Sequence, residues 1–182
     1  MSLRERSQTT LSEFDDPRID QIELRRQFLN HLHTHPNALA KECGPGHLTA
    51  SGLIIDPVQK RILLTLHPKV GRWLQTGGHC EVDDESIAAA ALREATEESG
   101  INGLKLFGTK PIRLDAHAID CRKDGGTTHF DVQFLVIAPP DSIEIISEES
   151  DDLKWFGIDE LPVGCDTALV NLVADSVAAI NI

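Results

Sequence analysis

The chain has 182 residues, an apolar content of 41 % and a formal net charge of −12, which fit one acidic globular domain with a modest appendage. Because such a surface repels polyanions, we expect neither a nucleic-acid polymer nor an anionic membrane as a partner, whereas divalent cations can mediate contact with a small phosphate ligand. No apolar run approaches the roughly 18 residues of a membrane span, and the N-terminus lacks the apolar segment of a signal peptide. We therefore expect a cytoplasmic protein.

The cysteines are widely spaced and form no metal or redox motif of the C-x-x-C type. In a chain of this length, their even number is weak evidence for disulfide bonds. We expect free thiols in a reducing compartment. The four residues are Cys43, Cys80, Cys121 and Cys165.

The N-terminal part of the chain is predicted to be helical. Asp15-Asp16-Pro17 is typical of a helix start, and apolar residues then recur at roughly helical spacing. A second, short helix is predicted from Asn37 to Cys43, where Gly44-Pro45-Gly46 ends it. We divide the chain into a helical N-terminal extension, residues 1–43, that packs on a main domain, residues 44–182.

The main domain alternates strands with turns and helices. The first two strands flank a turn at Pro57-Val58-Gln59 and are expected to pair antiparallel. The first helix is predicted to be capped by Asp83 or Asp84 and to end before Gly100, which fits the left-handed position after a helix. This order of elements favours an α/β (α+β) fold with a mixed sheet between helices. The predicted strands are His47–Asp56, Lys60–His67, Arg72–Gln75, Leu104–Phe107, Ile112–Ile119, His129–Ala138 and Leu153–Phe156, with turns at Gly77-Gly78 and Asp124-Gly125-Gly126, and the helices are Asp84–Ser99 and Asp166–Ala179.

Three glutamates near the end of the first of these helices, Glu94, Glu97 and Glu98, form a locally unfavourable group. Glu94 and Glu98 fall along one edge of the apolar stripe and Glu97 about 60° further round, where the helix meets the domain. Like charges three or four residues apart each cost roughly 0.2–0.5 kcal/mol, and anions in the last turn about 0.3–1 kcal/mol. Clustered oxygen ligands are what hard divalent cations require, which predicts a metal site. The alternative is an acidic surface helix with salt partners elsewhere.

The stretch Arg93-Glu94-Ala95-x-Glu97-Glu98-x-Gly100-Ile101 resembles the second half of the Nudix box, G-x5-E-x7-R-E-U-x-E-E-x-G-U, in which U is aliphatic. Every specified position of that half is met. The Gly77-Gly78 pair lies ahead of the helix, as the box requires. The resemblance covers about residues 47 to 162, and its end, from Glu148 to Pro162, is similar to the common Nudix C-terminal pattern.

Two departures from the box precede the helix. Counting back from Arg93 places the earlier box glutamate at Glu85, whereas counting forward from Gly78 reaches Asp84. The loop is therefore one residue longer than in the standard box, and either carboxylate is a candidate for the family's supporting role. Thr76 stands where a proline is common. Neither departure touches the three metal-ligand candidates.

The resemblance implies a Nudix-type α/β/α sandwich and an Mg²⁺- or Mn²⁺-dependent enzyme that hydrolyses a pyrophosphate linkage in a nucleoside diphosphate-linked small molecule. Metal ions neutralise the phosphoanhydride and lower the pKa of a bound water. Glu94, Glu97 and Glu98 would bind the ions, and Arg93 would orient a glutamate through a charged hydrogen bond. The candidates for the general base are Glu94, Glu97, Glu148 and Glu149. The positions with structural roles are Gly77, Gly78, Glu85 and Gly100.

Basic and imidazole side chains cluster ahead of the box and are predicted to contact substrate phosphate, since an acidic protein needs a local positive region for an anionic substrate. Lys69 and Arg72 keep their charge near neutral pH. Taken singly, each of the eight histidines is expected to have a structural role rather than to bind a metal. The phosphate-binding candidates are His67, Lys69, Arg72 and His79.

Two other functions compete with hydrolysis. A Nudix-fold isomerase of isoprenoid diphosphates would need a catalytic Cys–Glu pair, and Cys80 lies close to the box. A non-catalytic module that binds nucleotides would tend to lose box glutamates, which are present here. The sequence leaves several substrates open: dinucleotides, nucleotide sugars, damaged nucleoside triphosphates and CoA derivatives. It also leaves open whether the protein forms a homodimer.

Overall fold

A mixed β-sheet with helices on both faces forms the molecule. The structure is a computed structural model and describes residues 1–68, 70–119, 126–146 and 150–181. Four helices and eight strands lie in these residues. In chain order they are α1 (Leu3–Glu13), α2 (Ile19–Thr34), β1 (Gly46–Asp56), β2 (Arg61–His67), β3 (Arg72–Leu74), β4 (Thr76–His79), α3 (Ile87–Ser99), β5 (Lys105–Leu106), β6 (Arg113–Ile119), β7 (Thr127–Ile137), β8 (Asp152–Gly157) and α4 (Thr167–Ile180).

The two longest strands, β1 and β7, run parallel at the centre of the sheet, paired from Gly46↔Thr128 to Ile55↔Ile137. The other edge of β1 is shared by two antiparallel neighbours, β4 along its middle residues and β2 along its last residues. β5 and β6 both pair antiparallel with β7. β3 and β8 both pair antiparallel with β2. β4, which contains the first residues of the box, therefore lies beside the middle of the sheet.

The alternation of side chains along β1 and β7 builds two cores. Leu48 and Val132 belong to a buried cluster that also takes in residues of α1, α2 and α3. Leu53 and Leu135 point to the opposite face and pack on α4. The predicted class, an α/β/α sandwich around a mixed sheet, is confirmed.

The N-terminal region differs from its prediction. α2 is confirmed, but α1 was not predicted, and the short helix expected from Asn37 to Cys43 is wrong: backbone bonds such as Ala38 N–H to the His35 carbonyl form consecutive turns there. Leu11 of α1 and Phe28 of α2 share a core with the sheet. The division at residue 43 into extension and domain stays a prediction. Among the described residues, no helix has the length and apolarity that crossing a bilayer needs.

The box region is also arranged differently from the prediction. Gly77 and Gly78, expected in a turn, lie in strand β4. The helix begins at Ile87, where the Ser86 hydroxyl accepts a hydrogen bond from the Ala89 amide at 3.0 Å, so neither Asp83 nor Asp84 is the cap. The predicted left-handed residue after the helix, Gly100, is confirmed with φ of 65°. The turn predicted at residues 124–126 falls largely outside the described residues.

Candidate active site

The site is built where β4 runs beside β1 and against α3, and one glycine makes each of these contacts close. A Cβ on Gly77 would lie 2.7 Å from the Ser51 Cα, and a Cβ on Gly78 would lie 2.6 Å from the Glu94 Cδ. Both distances are below any normal non-bonded approach, so side chains at these positions would push the elements apart. The glycines are therefore needed for the close approach of β4 to β1, at Gly77, and to α3, at Gly78, rather than for a turn.

Arg93 is the charged centre of the site. Its Nε and Nη2 form a fork on the Asp84 carboxylate, with both hydrogen bonds at 3.1 Å. Nη1 donates to Glu94 at 3.0 Å and to Glu97 at 3.1 Å, and Nη2 also donates to the His79 carbonyl at 2.9 Å. The hydrogen bond with Asp84 is the main reason why the pKa of Arg93 is raised above its ordinary value. One guanidinium thus fixes the helix, the loop and the end of β4 together.

The structure separates the two candidates for the earlier box carboxylate. The Asp84 side chain is 6 % exposed, is held by Arg93, and accepts a hydrogen bond from the Glu81 amide at 2.7 Å. Glu85 is exposed. The extra residue in the loop thus brings Asp84, and not Glu85, to the arginine.

The three glutamates differ in their exposure. The Glu94 side chain is 13 % exposed and that of Glu97 59 %, while one carboxylate oxygen of Glu98 is shielded from solvent. Three carboxylates on one short stretch of helix offer the hard oxygen donors that Mg²⁺ and Mn²⁺ prefer, and Arg93 balances only part of their charge. The donor set therefore fits a hard divalent cation. The individual roles of these residues stay predictions.

Part of the predicted phosphate cluster is placed by the structure. His67 and Arg72 face one another across β2 and β3, with Arg72 exposed. His79, at the end of β4, lies instead against His47 and His129. Lys69 falls outside the described residues, as do the loop candidates for the general base, Glu148 and Glu149.

A histidine cluster that the sequence did not predict lies on the sheet beside the box. The ligand nitrogens of His47, His79 and His129 all lie within 4.8 Å of one another. His117 on β6 pairs with His129 in the sheet, and the two ring centroids are 5.6 Å apart. Burial, and then the neighbouring imidazoles, lower the pKa of His129 to about 3. The sequence separations hid this group, since only the pairing of β1, β4, β6 and β7 brings it together.

A buried carboxylate lies in the next row of the same sheet face. Asp131 follows His129 by two residues and accepts hydrogen bonds from the hydroxyls of Thr49 at 3.0 Å and Ser51 at 2.8 Å. Burial raises its pKa, while the Ser51 hydroxyl opposes that shift. On this face of the sheet, the imidazoles and Asp131 therefore form a polar region next to the apolar region that α4 covers.

Comparison with known proteins agrees with this geometry. Residues 46–174 match the family model of the NUDIX domain. Among curated proteins, none matches the chain. Similar solved structures include a dihydroneopterin triphosphate pyrophosphohydrolase of E. coli, 19 % identical with a TM-score of 0.58, which aligns over 74 % of this chain and 96 % of that one.

Two further structures are similar in fold. An Ap4A hydrolase of C. elegans is 20 % identical with a TM-score of 0.56, over 74 % of this chain and 97 % of that one. A UDP-X diphosphatase is 19 % identical with a TM-score of 0.54, over 94 % of this chain and 88 % of that one, so that alignment reaches α2. These identities show a shared fold. Because the family model spans most of the chain and contains the whole box, the protein belongs to the Nudix family of hydrolases.

Proposed function

We propose that this protein is an Mg²⁺- or Mn²⁺-dependent hydrolase that cleaves a pyrophosphate linkage in a small nucleoside diphosphate-linked substrate. The observation that carries the proposal is the Arg93 fork. It joins Asp84 to Glu94 and Glu97 and holds the carboxylates of α3 against the end of β4. A surface helix that served only solubility would not need Glu94 packed against Gly78 of β4. Nor would it need a half-buried arginine that binds two of its glutamates.

Glu94, Glu97 and Glu98 would hold the cation. When bound there, a divalent cation supplies charge neutralisation of the phosphoanhydride and lowers the pKa of a water molecule. Arg93 restrains Glu94 and Glu97 through one nitrogen, Nη1, so both carboxylates keep a fixed direction. Such positioning accounts for much of the catalysis of phosphoryl transfer, because the reacting groups need little further ordering.

Glu94 and Glu97 are the described candidates for the general base. Glu97 is the more exposed of the two, and a water molecule reaches it readily. Glu94 is the more enclosed, which favours a role in holding the cation. The pH dependence of kcat for Glu97→Gln decides between them, because loss of the base removes the acidic limb of the profile.

The substrate is proposed to be a nucleotide with at least one phosphoanhydride. The names of the three similar structures support this class, since each refers to a triphosphate, a polyphosphate dinucleotide or a nucleoside diphosphate derivative. We further propose that Arg72 and His67, on the β2–β3 hairpin, contact substrate phosphate together with Lys69. Arg72 is exposed, so its charge is available to an anion from solvent.

Isomerase chemistry is not favoured by the surroundings of Cys80. Burial, and then the charge of Asp84, raise the pKa of this thiol to about 12. A thiol with such a pKa does not serve as a ready acid or nucleophile at neutral pH. Cys80 packs instead against the core between the sheet and α3.

A substrate panel tests the proposed function. The protein is incubated in Mg²⁺ with dinucleoside polyphosphates, nucleotide sugars, damaged nucleoside triphosphates and CoA derivatives, and phosphate and nucleoside monophosphate are quantified. We expect turnover of at least one phosphoanhydride, with Glu98→Gln as the inactive reference. Binding without turnover across the panel would contradict hydrolysis.

A further inference from the structure

We propose that His47, His79 and His129 form a second metal site, for a divalent transition-metal cation such as Zn²⁺, on the face of the sheet opposite α3. Their ligand nitrogens lie within 4.8 Å of one another. The ring centroids are 5.0 Å apart between His47 and His79, 4.7 Å between His47 and His129, and 5.5 Å between His79 and His129. The three rings thus form a compact triangle.

Each histidine comes from a different strand, and the strands are hydrogen-bonded neighbours. His47 pairs directly with His129 between β1 and β7, and His79 on β4 pairs with Thr49, two residues beyond His47. Residues two apart on a strand share a face, so the pairing itself sets all three rings on one side. A site based on three central strands is held by the backbone rather than by flexible loops.

The site is separate from the carboxylates of α3. A Cβ at Gly78 would point at Glu94, so the next residue, His79, projects to the other face of β4. The same holds for the other two strands, because Leu48 and Phe130, each next to one of the histidines, belong to the core on the α3 side. The sheet therefore lies between the two groups of ligands.

The chemistry of the two groups selects different cations. Imidazole nitrogen suits Zn²⁺, Cu²⁺ and Ni²⁺, whereas carboxylates suit Mg²⁺ and Mn²⁺. Zn–N bonds of about 2.0–2.1 Å at tetrahedral angles set ligand nitrogens about 3.4 Å apart. The ligand nitrogens lie within 4.8 Å of one another, so the further approach that such a site requires is at most about 1.4 Å.

Two carboxylates lie in the surroundings of the three histidines. The buried carboxyl of Asp131 lies in the adjacent row of the same face. His117, beside His129, is held by Asp115 through an Nδ1···Oδ2 contact of 2.8 Å, which adds a further carboxylate to the surroundings. Three protein ligands leave a fourth tetrahedral position for water or another small ligand. The cation would tie the short strand β4, and with it the entry to the box, to the centre of the sheet.

Metal titration tests the site directly. Untagged protein is stripped with a chelator, placed in excess Mg²⁺ so that the oxygen ligands of α3 are occupied, and titrated with Zn²⁺ by isothermal calorimetry. We expect one Zn²⁺ per chain. His129→Gln and His79→Gln, each at a partly exposed position, should each weaken binding by at least about tenfold, the lower bound for losing a group that merely orients a ligand.

Two controls keep the test specific. His33→Gln changes an exposed histidine on α2 and should bind like wild type. Glu98→Gln should also keep its Zn²⁺ site, since it changes only the carboxylate side. Far-UV circular dichroism of each metal-free variant checks the fold.

X-ray absorption at the zinc edge gives an independent readout, in which we expect three nitrogen ligands at about 2.0–2.1 Å. Saturable Zn²⁺ binding lost in both histidine variants supports the proposal. Absence of binding in wild type, binding that survives both substitutions, or loss of the site in Glu98→Gln would overturn it.

Discussion

The two faces of β4 make a useful comparison, because neighbouring residues on one strand belong to two chemically different groups. Gly78 faces α3, where an added Cβ would lie 2.6 Å from the Glu94 Cδ. His79 projects to the other side and joins His47 and His129. The α3 side is rich in carboxylates around one arginine, whereas the reverse side is rich in imidazole. A short strand can therefore separate a hard-cation site from a nitrogen-rich one by side-chain alternation alone.

The two sides also differ in how their residues are connected. The α3 side is built mainly from one continuous stretch of sequence, and Arg93 joins its helix to the loop before it. The histidine side is built from strands far apart in the chain, joined by the sheet. Substitutions on the α3 side should therefore mainly lower the rate of hydrolysis. Substitutions on the histidine side should mainly lower the affinity for Zn²⁺.

The largest expected effect is that of Glu98→Gln. We expect kcat to fall on the order of 10²-fold or more, because the charge stabilisation that a bound metal provides is worth several kcal/mol. The free energy of unfolding should be unchanged or higher, since one of a set of like charges is removed. Steady-state kinetics and urea unfolding check both parts. A variant with near-normal kcat, or one that unfolds, would count against this role.

Asp84→Asn and Glu85→Gln form a matched pair within the loop. Asp84 accepts the fork of Arg93 in a nearly closed environment, and Glu85 is exposed. We expect Asp84→Asn to lower the free energy of unfolding by about 1.5–3 kcal/mol, the range for hydrogen bonds to charged groups. Glu85→Gln should stay within about 0.5 kcal/mol of wild type. Equal effects in urea unfolding would show that the exposed glutamate has the supporting role as well.

Gly78→Ala tests the close approach of β4 to α3. The added Cβ would meet the Glu94 carboxylate at 2.6 Å, and overpacking of this kind typically costs about 1–3 kcal/mol. Gly44→Ala is a suitable control, because a Cβ there meets nothing within 4 Å. Thermal unfolding of the two variants gives the comparison. If Gly78→Ala melts and turns over like the control, the two elements are not held as closely as described.

The smallest effect is expected at the β2–β3 hairpin. Arg72→Ala should raise KM more than it lowers kcat, which is the sign of lost uniform binding. Arg26→Ala, at an exposed arginine of α2 paired with Glu23, removes the same charge elsewhere and should leave both parameters unchanged. An Arg72 variant with unchanged KM would remove the hairpin from the proposed phosphate contacts.

The parts of the fold that the sequence predicted best have local signals. α3 has an apolar stripe, a terminal glycine (Gly100) and a continuous motif, so its existence and its end could be predicted. Its start was placed too early because Asp84 is a good capping residue, but the structure uses that carboxylate for Arg93 and leaves the cap to Ser86. A tertiary ion pair overrode a local preference.

The errors near the N-terminus have equally physical causes. α1 contains few apolar residues, so it lacks a clear periodic pattern, although Ser2 and Glu5 form a capping box that is visible in the sequence. The segment from Asn37 to Cys43 is too short to stabilise a helix by itself, and it forms turns. The histidine group could not be predicted, because the register of β1, β4 and β7 decides which histidines meet.

The central claim is that the carboxylates of α3 need a hard divalent cation to hydrolyse a phosphoanhydride. The most direct measurement is the hydrolysis rate of the best panel substrate by protein stripped of metal with EDTA, followed by titration with Mg²⁺ and, separately, Mn²⁺. We predict that the stripped protein has no measurable turnover and that either cation restores it in wild type, while Glu98→Gln recovers little. Equal turnover in metal-free buffer would contradict the claim.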